Sequence, residues 1–114
     1  MPRTESGSQK APAPARQLAG WLRERFGNRI ADIRLFGSWA RGEADADSDV
    51  DVLVVFEDTP TREEREEISW RRYDIDLENG TVTSLLLETR KTWDGEPFRG
   101  TGLRRAVERE GVAL

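Results

Sequence analysis

The sequence contains no cysteine and no histidine among its 114 residues. The absence of cysteine excludes disulfide bonds and every metal site built from thiolates. The absence of histidine excludes imidazole zinc sites, Ser-His-Asp and Cys-His hydrolases, and any histidine general base. The ionisable side chains left for chemistry near neutral pH are mainly carboxylates and arginines, which favours a site built from carboxylates and a metal ion.

Long apolar runs are also missing. Without a membrane span or the apolar core of a signal peptide, we expect a soluble, cytoplasmic protein with no membrane partner. The net charge is −4, and acids are interspersed among the arginines, so we expect no general nucleic-acid surface. The Pro-, Ser- and Ala-rich residues 1–15 show no apolar period and are assigned to a disordered tail, and residues 16–114 to one domain.

The pattern of apolar residues predicts an α+β (α/β-like) fold, in which helices flank a small sheet. Helical spacing of apolar side chains and stop signals such as Asn79-Gly80 mark the helices, and alternating apolar residues mark the strands. The sheet should have three or more strands and be mixed or antiparallel. The predicted helices cover 17–26, 62–78 and 97–110, and the predicted strands cover 30–36, 50–56 and 82–87.

The stretch from Leu35 to Phe56 carries the strongest functional signal. Side chains alternate along a strand, so Asp49 and Asp51 should point the same way with Cβ atoms roughly 6.5–7 Å apart. Octahedral Mg²⁺ sites take one or two carboxylates together with waters and substrate phosphates. We therefore predict that Asp49 and Asp51 bind Mg²⁺ or Mn²⁺.

Gly37 and Ser38 follow the first predicted strand, and ten residues separate Ser38 from Asp49. A short helical turn there would offer backbone N–H groups and a hydroxyl to phosphate oxygens, with Trp39 buttressing the turn. Arg41 has two interpretations: its guanidinium faces a phosphate, or it holds the acidic loop by pairing with an acid at position 45 or 47.

The string GSWARGEADADSDVDVLVVF, with Gly37-Ser38, ten residues, and then Asp49 and Asp51, resembles the signature of the minimal nucleotidyltransferases. These are small relatives of the polymerase-beta palm, and the resemblance extends from about Ile30 to Leu114. It implies a polymerase-beta-like palm fold with Asp49 and Asp51 as catalytic, metal-binding residues. By the same resemblance, the nucleotide-binding residues are Gly37, Ser38 and Arg41.

The resemblance also implies a reaction and a partner. The expected reaction is a Mg²⁺-dependent transfer of a nucleoside monophosphate, AMP, from ATP to a hydroxyl of a partner protein. Relatives of this size are often encoded beside a helical HEPN-type protein and act as antitoxins, so a HEPN-type partner is expected here. The alternative function is a non-catalytic antitoxin subunit that binds nucleotide or only covers its partner.

A third carboxylate is the point at which this sequence departs from the family pattern. Many active relatives carry it on the strand after the long helix, where this chain has Thr83 or Ser84. Asp74 and Asp76 fall on the predicted helix. If that helix instead ended near Arg72, residues 73–77 would form a strand and one of the two acids would join the site.

Overall fold

A four-stranded sheet with helices on both faces forms the protein, as described by a computed structural model for residues 11–96 and 98–114. None of the helices in these ranges is long and apolar enough to cross a membrane. The helices are α1 (Ala13–Phe26), α2 (Gly37–Arg41), α3 (Arg62–Asn79), α4 (Arg90–Asp94) and α5 (Gly102–Glu110), and the strands are β1 (Ile30–Phe36), β2 (Val50–Phe56), β3 (Thr83–Thr89) and β4 (Val112–Ala113).

The strands lie in the order β3-β2-β1-β4. β1 runs antiparallel to both β2 and β4, whereas β2 runs parallel to β3. Parallel strands cannot be joined by a tight turn, and the 18-residue helix α3 makes the return between β2 and β3. The mixed sheet confirms the predicted α+β fold.

Two hydrophobic cores share the sheet because side chains alternate along β2. Val50, Val52, Val54 and Phe56 pack with residues of α1 and α3, on what we call the α1/α3 face. Leu53 and Val55 pack with Trp93 of α4 and Val107 of α5, on the α4/α5 face. By the same alternation Asp51 points to the α4/α5 face.

Helix α3 has clear signals at both ends. Thr61 and Glu64 form a capping box, in which each side chain accepts a hydrogen bond from the other's backbone N–H. Gly80 ends the helix in the left-handed conformation at φ 65° and donates its N–H to the carbonyl of Asp76. Residues 73–77 are therefore helical, as predicted, and the alternative of a strand there is wrong.

Two terminal elements differ from prediction. Helix α1 begins at Ala13, so the tail predicted over 1–15 is wrong for its last residues: Pro14 starts a helix well, and Ala15 packs in the core. Ala11 packs in the core as well, and residues 1–10 of that predicted tail lie outside the described residues. The helix predicted over 97–110 begins only at Gly102, after a cap by Thr101, and strand β4 was not predicted.

Candidate active site

Strand β2 positions the two aspartates at its N-terminal end. Val50 and Val52 are fully buried on the α1/α3 face, which forces Asp51 between them to the opposite side. Asp51 is half-buried and Asp49 is exposed. Within residues 11–96 and 98–114, neither carboxylate has a hydrogen-bond or ion-pair partner. The structure therefore brings together two carboxylates with free lone pairs.

The electrostatics of this pair favour a cation. Partial burial raises the pKa of the Asp51 carboxyl above its ordinary value, and the charge of Asp49 raises this pKa further, whereas Arg41 lowers it. The raised pKa means that the surroundings of Asp51 disfavour its negatively charged form, which a bound cation would stabilise. No group of three or more His, Cys, Asp or Glu side chains that could hold a metal ion occurs in the described chain. A pair of carboxylates suits a divalent ion whose other ligands are water and phosphate oxygens.

Gly37 lies directly against the carboxylate of Asp51. Phe36, the last residue of β1, is in register with Asp51, and the chain then turns at Gly37 with φ 74°. A Cβ atom placed on Gly37 would lie 2.2 Å from Oδ2 of Asp51. Glycine is thus required by the left-handed backbone and by the close approach.

Helix α2 begins at Gly37, which confirms the predicted helical turn. The first N–H groups of a helix have no partner inside it. The Ser38 hydroxyl makes no hydrogen bond to any part of the chain that the structure describes. The start of α2 therefore presents uncommitted donors beside the two aspartates, an arrangement that suits phosphate oxygens.

Arg41, at the end of α2, contacts two glutamates. Its guanidinium donates to Glu43 Oε1 at 2.8 Å and to Glu110 Oε2 at 3.4 Å. The predicted alternative pairing with an acid at position 45 or 47 is wrong, since these glutamates occupy the guanidinium. Arg41 nevertheless acts electrostatically on Asp51, and its predicted phosphate role stays a prediction.

The acidic loop before β2 is held by its own hydrogen bonds. Asp45 Oδ1 accepts from the backbone N–H of Asp47 at 2.9 Å and from the hydroxyl of Ser48 at 3.2 Å. Trp39 donates its indole N–H to the carbonyl oxygen of Ser48 at 3.3 Å. This contact confirms that Trp39 buttresses the turn, and it ties α2 to the loop that ends at Asp49.

Asp76 is a structural carboxylate. It is buried and accepts hydrogen bonds from the N–H of Thr83 at 2.9 Å and from the hydroxyls of Thr83 and Thr81 at 2.7 Å each. Thr83 is in register with Val50, whose side chain lies on the α1/α3 face. Asp76 therefore lies across the sheet from Asp51 and does not complete its site.

The position beside Asp51 on β3 belongs to Ser84, which is exposed and in register with Asp51 on the same face. A neutral hydroxyl thus stands where a third carboxylate was expected. Asp74 is exposed on α3. The sequence alone does not show which of Thr83 and Ser84 lies beside Asp51. The register of parallel strands depends on pairing between distant segments rather than on a local turn.

Comparison with known proteins gives one family match over nearly the whole chain. The family profile described as the nucleotidyltransferase domain matches residues 15–113. The protein adenylyltransferase MntA of Thermococcus cleftensis is 62% identical over 40 residues, which cover 35% of this chain and 38% of that protein. The matches span less than half the length of the curated relatives.

Solved structures share the fold. A structure described as that of a minimal nucleotidyltransferase has a TM-score of 0.57 and 27% identity, with 90% of both chains covered. A toxin–antitoxin structure with AMP-PNP has a TM-score of 0.56 and 20% identity, over 85% of this chain and 69% of that one. A chain in the structure of a tri-AMPylated Shewanella oneidensis HEPN toxin in complex with MNT antitoxin has a TM-score of 0.52 and 19% identity. The match covers 88% of this chain and 67% of that one.

Proposed function

Because the chain belongs to the nucleotidyltransferase domain family, we propose that it transfers AMP from ATP to a hydroxyl group of a partner protein. The hydroxyl oxygen bonds to the α-phosphorus, the bond from the α-phosphorus to the bridging oxygen breaks, and pyrophosphate leaves. The observation that carries the proposal is the pair of unpartnered carboxylates, Asp49 and Asp51, of which Asp51 lies against Gly37 at the start of α2. The relative of Thermococcus cleftensis is named a protein adenylyltransferase, which supports AMP as the group and protein as the acceptor.

The triphosphate binds at the start of α2. Ser38 and the first N–H groups of the helix donate to the β- and γ-phosphates, and Gly37 keeps the approach open because it has no side chain. Arg41 is exposed, so water competes with its two carboxylate partners for the guanidinium and weakens both ion pairs. In the proposed complex Arg41 exchanges at least one of these partners for a phosphate oxygen.

Asp49 and Asp51 hold Mg²⁺ or Mn²⁺. When bound, such an ion neutralises phosphate charge and lowers the pKa of an attacking hydroxyl, which fits a chain that has no histidine to serve as a base. Asp51 is fixed by the buried residues on either side of it in β2, whereas Asp49 stands at the loop end and is exposed. The rigid strand therefore sets the place of the reaction, and the hydrogen bonds within the loop and from Trp39 hold the end that carries Asp49.

The proposed acceptor is a tyrosine hydroxyl of a helical HEPN-type protein, and the chain would act as its antitoxin. The structural relative from Shewanella oneidensis supports this partner, since there a HEPN toxin carries AMP groups and is bound to an MNT antitoxin. A second candidate function is binding without transfer. The neutral Ser84 beside Asp51 favours it, because two carboxylates bind a divalent ion less strongly than three.

Intact mass spectrometry of the partner decides between these functions. The product of the gene next to that of this chain, which the proposal expects to be a HEPN-type protein, is incubated with the chain, ATP and Mg²⁺. A gain of one or more AMP units, absent with Asp49→Asn, supports the transferase. A stable complex with no gain in mass under Mg²⁺ or Mn²⁺ refutes the transferase and supports the binding subunit.

A further inference from the structure

Helix α3 is apolar on two opposite sides. Ile68 and Ile75 are buried against the sheet, whereas Trp70, Tyr73 and Leu77 are 67%, 48% and 65% exposed. At 100° per residue these three side chains form a stripe on the side of the helix that faces away from the isoleucines. The outward-facing side of α3 therefore presents an apolar stripe that no residue of the described chain covers.

Val82, 60% exposed, extends the stripe beyond the helix. We call Trp70, Tyr73, Leu77 and Val82 the outer patch. The rings of Trp70 and Tyr73 meet edge to face with centroids 6.0 Å apart, and a cavity of about 350 Å³ is lined by Tyr73, Leu77 and Val82 among others. The patch is therefore one continuous surface with a hollow rather than a set of isolated side chains.

The outer patch ends beside the candidate active site. The carbonyl oxygen of Val82 accepts a hydrogen bond from the N–H of Val50 at 2.9 Å, and Val50 stands between Asp49 and Asp51. Ser84, two residues after Val82, is in register with Asp51. Val82 therefore brings the edge of the patch to the end of β2 that carries the two aspartates, whereas the helical part of the patch faces away from the sheet.

The charges around the patch select its partner. Helix α3 as a whole carries seven acids and four arginines, and beside the hollow Arg72 is paired with Asp76. The loop before β2 adds the exposed Asp45, Asp47 and Asp49. A second copy of this chain would bring two acidic helices together, which is unfavourable. The complementary surface is apolar at its centre and bordered by lysine and arginine.

We propose that the outer patch is the docking surface for the protein that accepts the AMP group, which binds through an apolar helical face with a basic border. The spacing of Trp70, Tyr73 and Leu77 suits packing against a helix. The identity of the acceptor, a HEPN-type protein, rests on the proposed function. The place of docking rests on the exposure of the patch and on its contact with the end of β2.

Calorimetric titration tests this surface without any reaction. The product of the neighbouring gene, the expected HEPN-type protein, is titrated into wild type, Leu77→Asp and Trp70→Ala in the absence of nucleotide. Leu103→Asp is the matched control, because Leu103 is an exposed apolar residue, 38% exposed, on α5 instead of α3. We expect Leu77→Asp and Trp70→Ala to weaken binding by roughly tenfold or more, and Leu103→Asp to bind like wild type.

Binding of ATP in the presence of Mn²⁺ should be unchanged in all three variants, which shows that they are folded and that the nucleotide site is intact. Complex formation that depends on the outer patch, without AMP transfer, would refute the proposed reaction and support the docking surface. The docking proposal is overturned by the absence of a complex, by equal affinities in all variants, or by an equal loss in Leu103→Asp. Self-association of wild type that disappears in Leu77→Asp, measured by sedimentation, would also overturn it.

Discussion

Gly37 and Asp51 are in such close contact that a Cβ atom added to the glycine would lie only 2.2 Å from Oδ2 of the aspartate. The contact joins the turn after β1 to the carboxylate on β2, and the antiparallel register of Phe36 with Asp51 fixes it. The phosphate-facing turn and the metal-facing carboxylate are thus neighbours through the backbone of one sheet.

Gly37→Ala should displace the Asp51 carboxylate and abolish ATP binding in the presence of Mg²⁺. Gly42→Ala is the matched control, because Gly42 has the same φ of 74° but nothing within 4 Å of an added Cβ. Both variants should lose about 1–2 kcal/mol of stability from the left-handed backbone. Calorimetry and thermal unfolding measure the two effects, and equal ATP binding by both variants would place the nucleotide elsewhere.

Asp51→Asn should make the metal-free protein more stable at pH 7. The pKa of Asp51 is raised in the folded protein, so this residue favours folding only while protonated, and that contribution is lost as the pH rises through its folded pKa. The advantage of Asp51→Asn should therefore disappear in acid, near the ordinary carboxyl pKa of about 3.9.

Saturating Mn²⁺ should reverse the order, since only wild type gains stability from binding the ion. Urea unfolding with and without Mn²⁺ measures both effects. Asp47→Asn is the control, because Asp47 is exposed in the same loop and its side chain has no partner among the described residues. The assignment of the metal site fails if Asp51→Asn and wild type are stabilised equally by Mn²⁺.

Ser84→Asp should strengthen Mn²⁺ binding, because it places a third carboxylate in register with Asp51 on the same face. The metal-free protein should become less stable at pH 7 through added repulsion among like charges. Ser84→Asn is the control, since it has the same shape without the charge. Calorimetric affinities that are the same for Ser84→Asp and Ser84→Asn would show that Ser84 does not face the ion.

Glu64 should make the stability of the fold sensitive to acid. Arg29 donates to both of its carboxylate oxygens, and this pairing lowers the pKa of Glu64 to about 2. The stabilising contribution is complete above the ordinary pKa, about 4.3, and is lost as the pH falls towards 2. Glu64→Gln should therefore lose less stability than wild type between pH 5 and 2, whereas Glu63→Gln should follow wild type in urea titrations.

Local sequence signals predicted the central elements well. The bounds of β1 and β2 agree with prediction because β1 is an alternating apolar run that stops at Gly37 and β2 is a nearly continuous apolar run that stops at Glu57. The placement of Asp49 and Asp51 follows from the same alternation. Their function as metal ligands, and that of Ser38 and Arg41 as phosphate ligands, stay predictions.

Features that depend on distant contacts were not predictable in the same way. Arg41 pairs with Glu110, 69 residues later in the chain, and no local pattern marks that partner. The two-residue strand β4 is too short for any periodic signal and forms only because β1 offers it an edge. The choice of Ser84 over Thr83 beside Asp51 depends on the parallel register with β2.

The hydrogen bond from Trp39 to the carbonyl of Ser48 ties together the two ends of the segment between Gly37 and Asp49. The turn at Gly37 precedes this segment and the aspartate pair follows it, so the distance between the two is set before any ligand binds. The ten-residue interval between Ser38 and Asp49 must therefore keep its length for the site to form. Inserting or deleting one residue would remove no side chain of the site, yet it would shift the turn relative to the aspartates so that one nucleotide could no longer contact both.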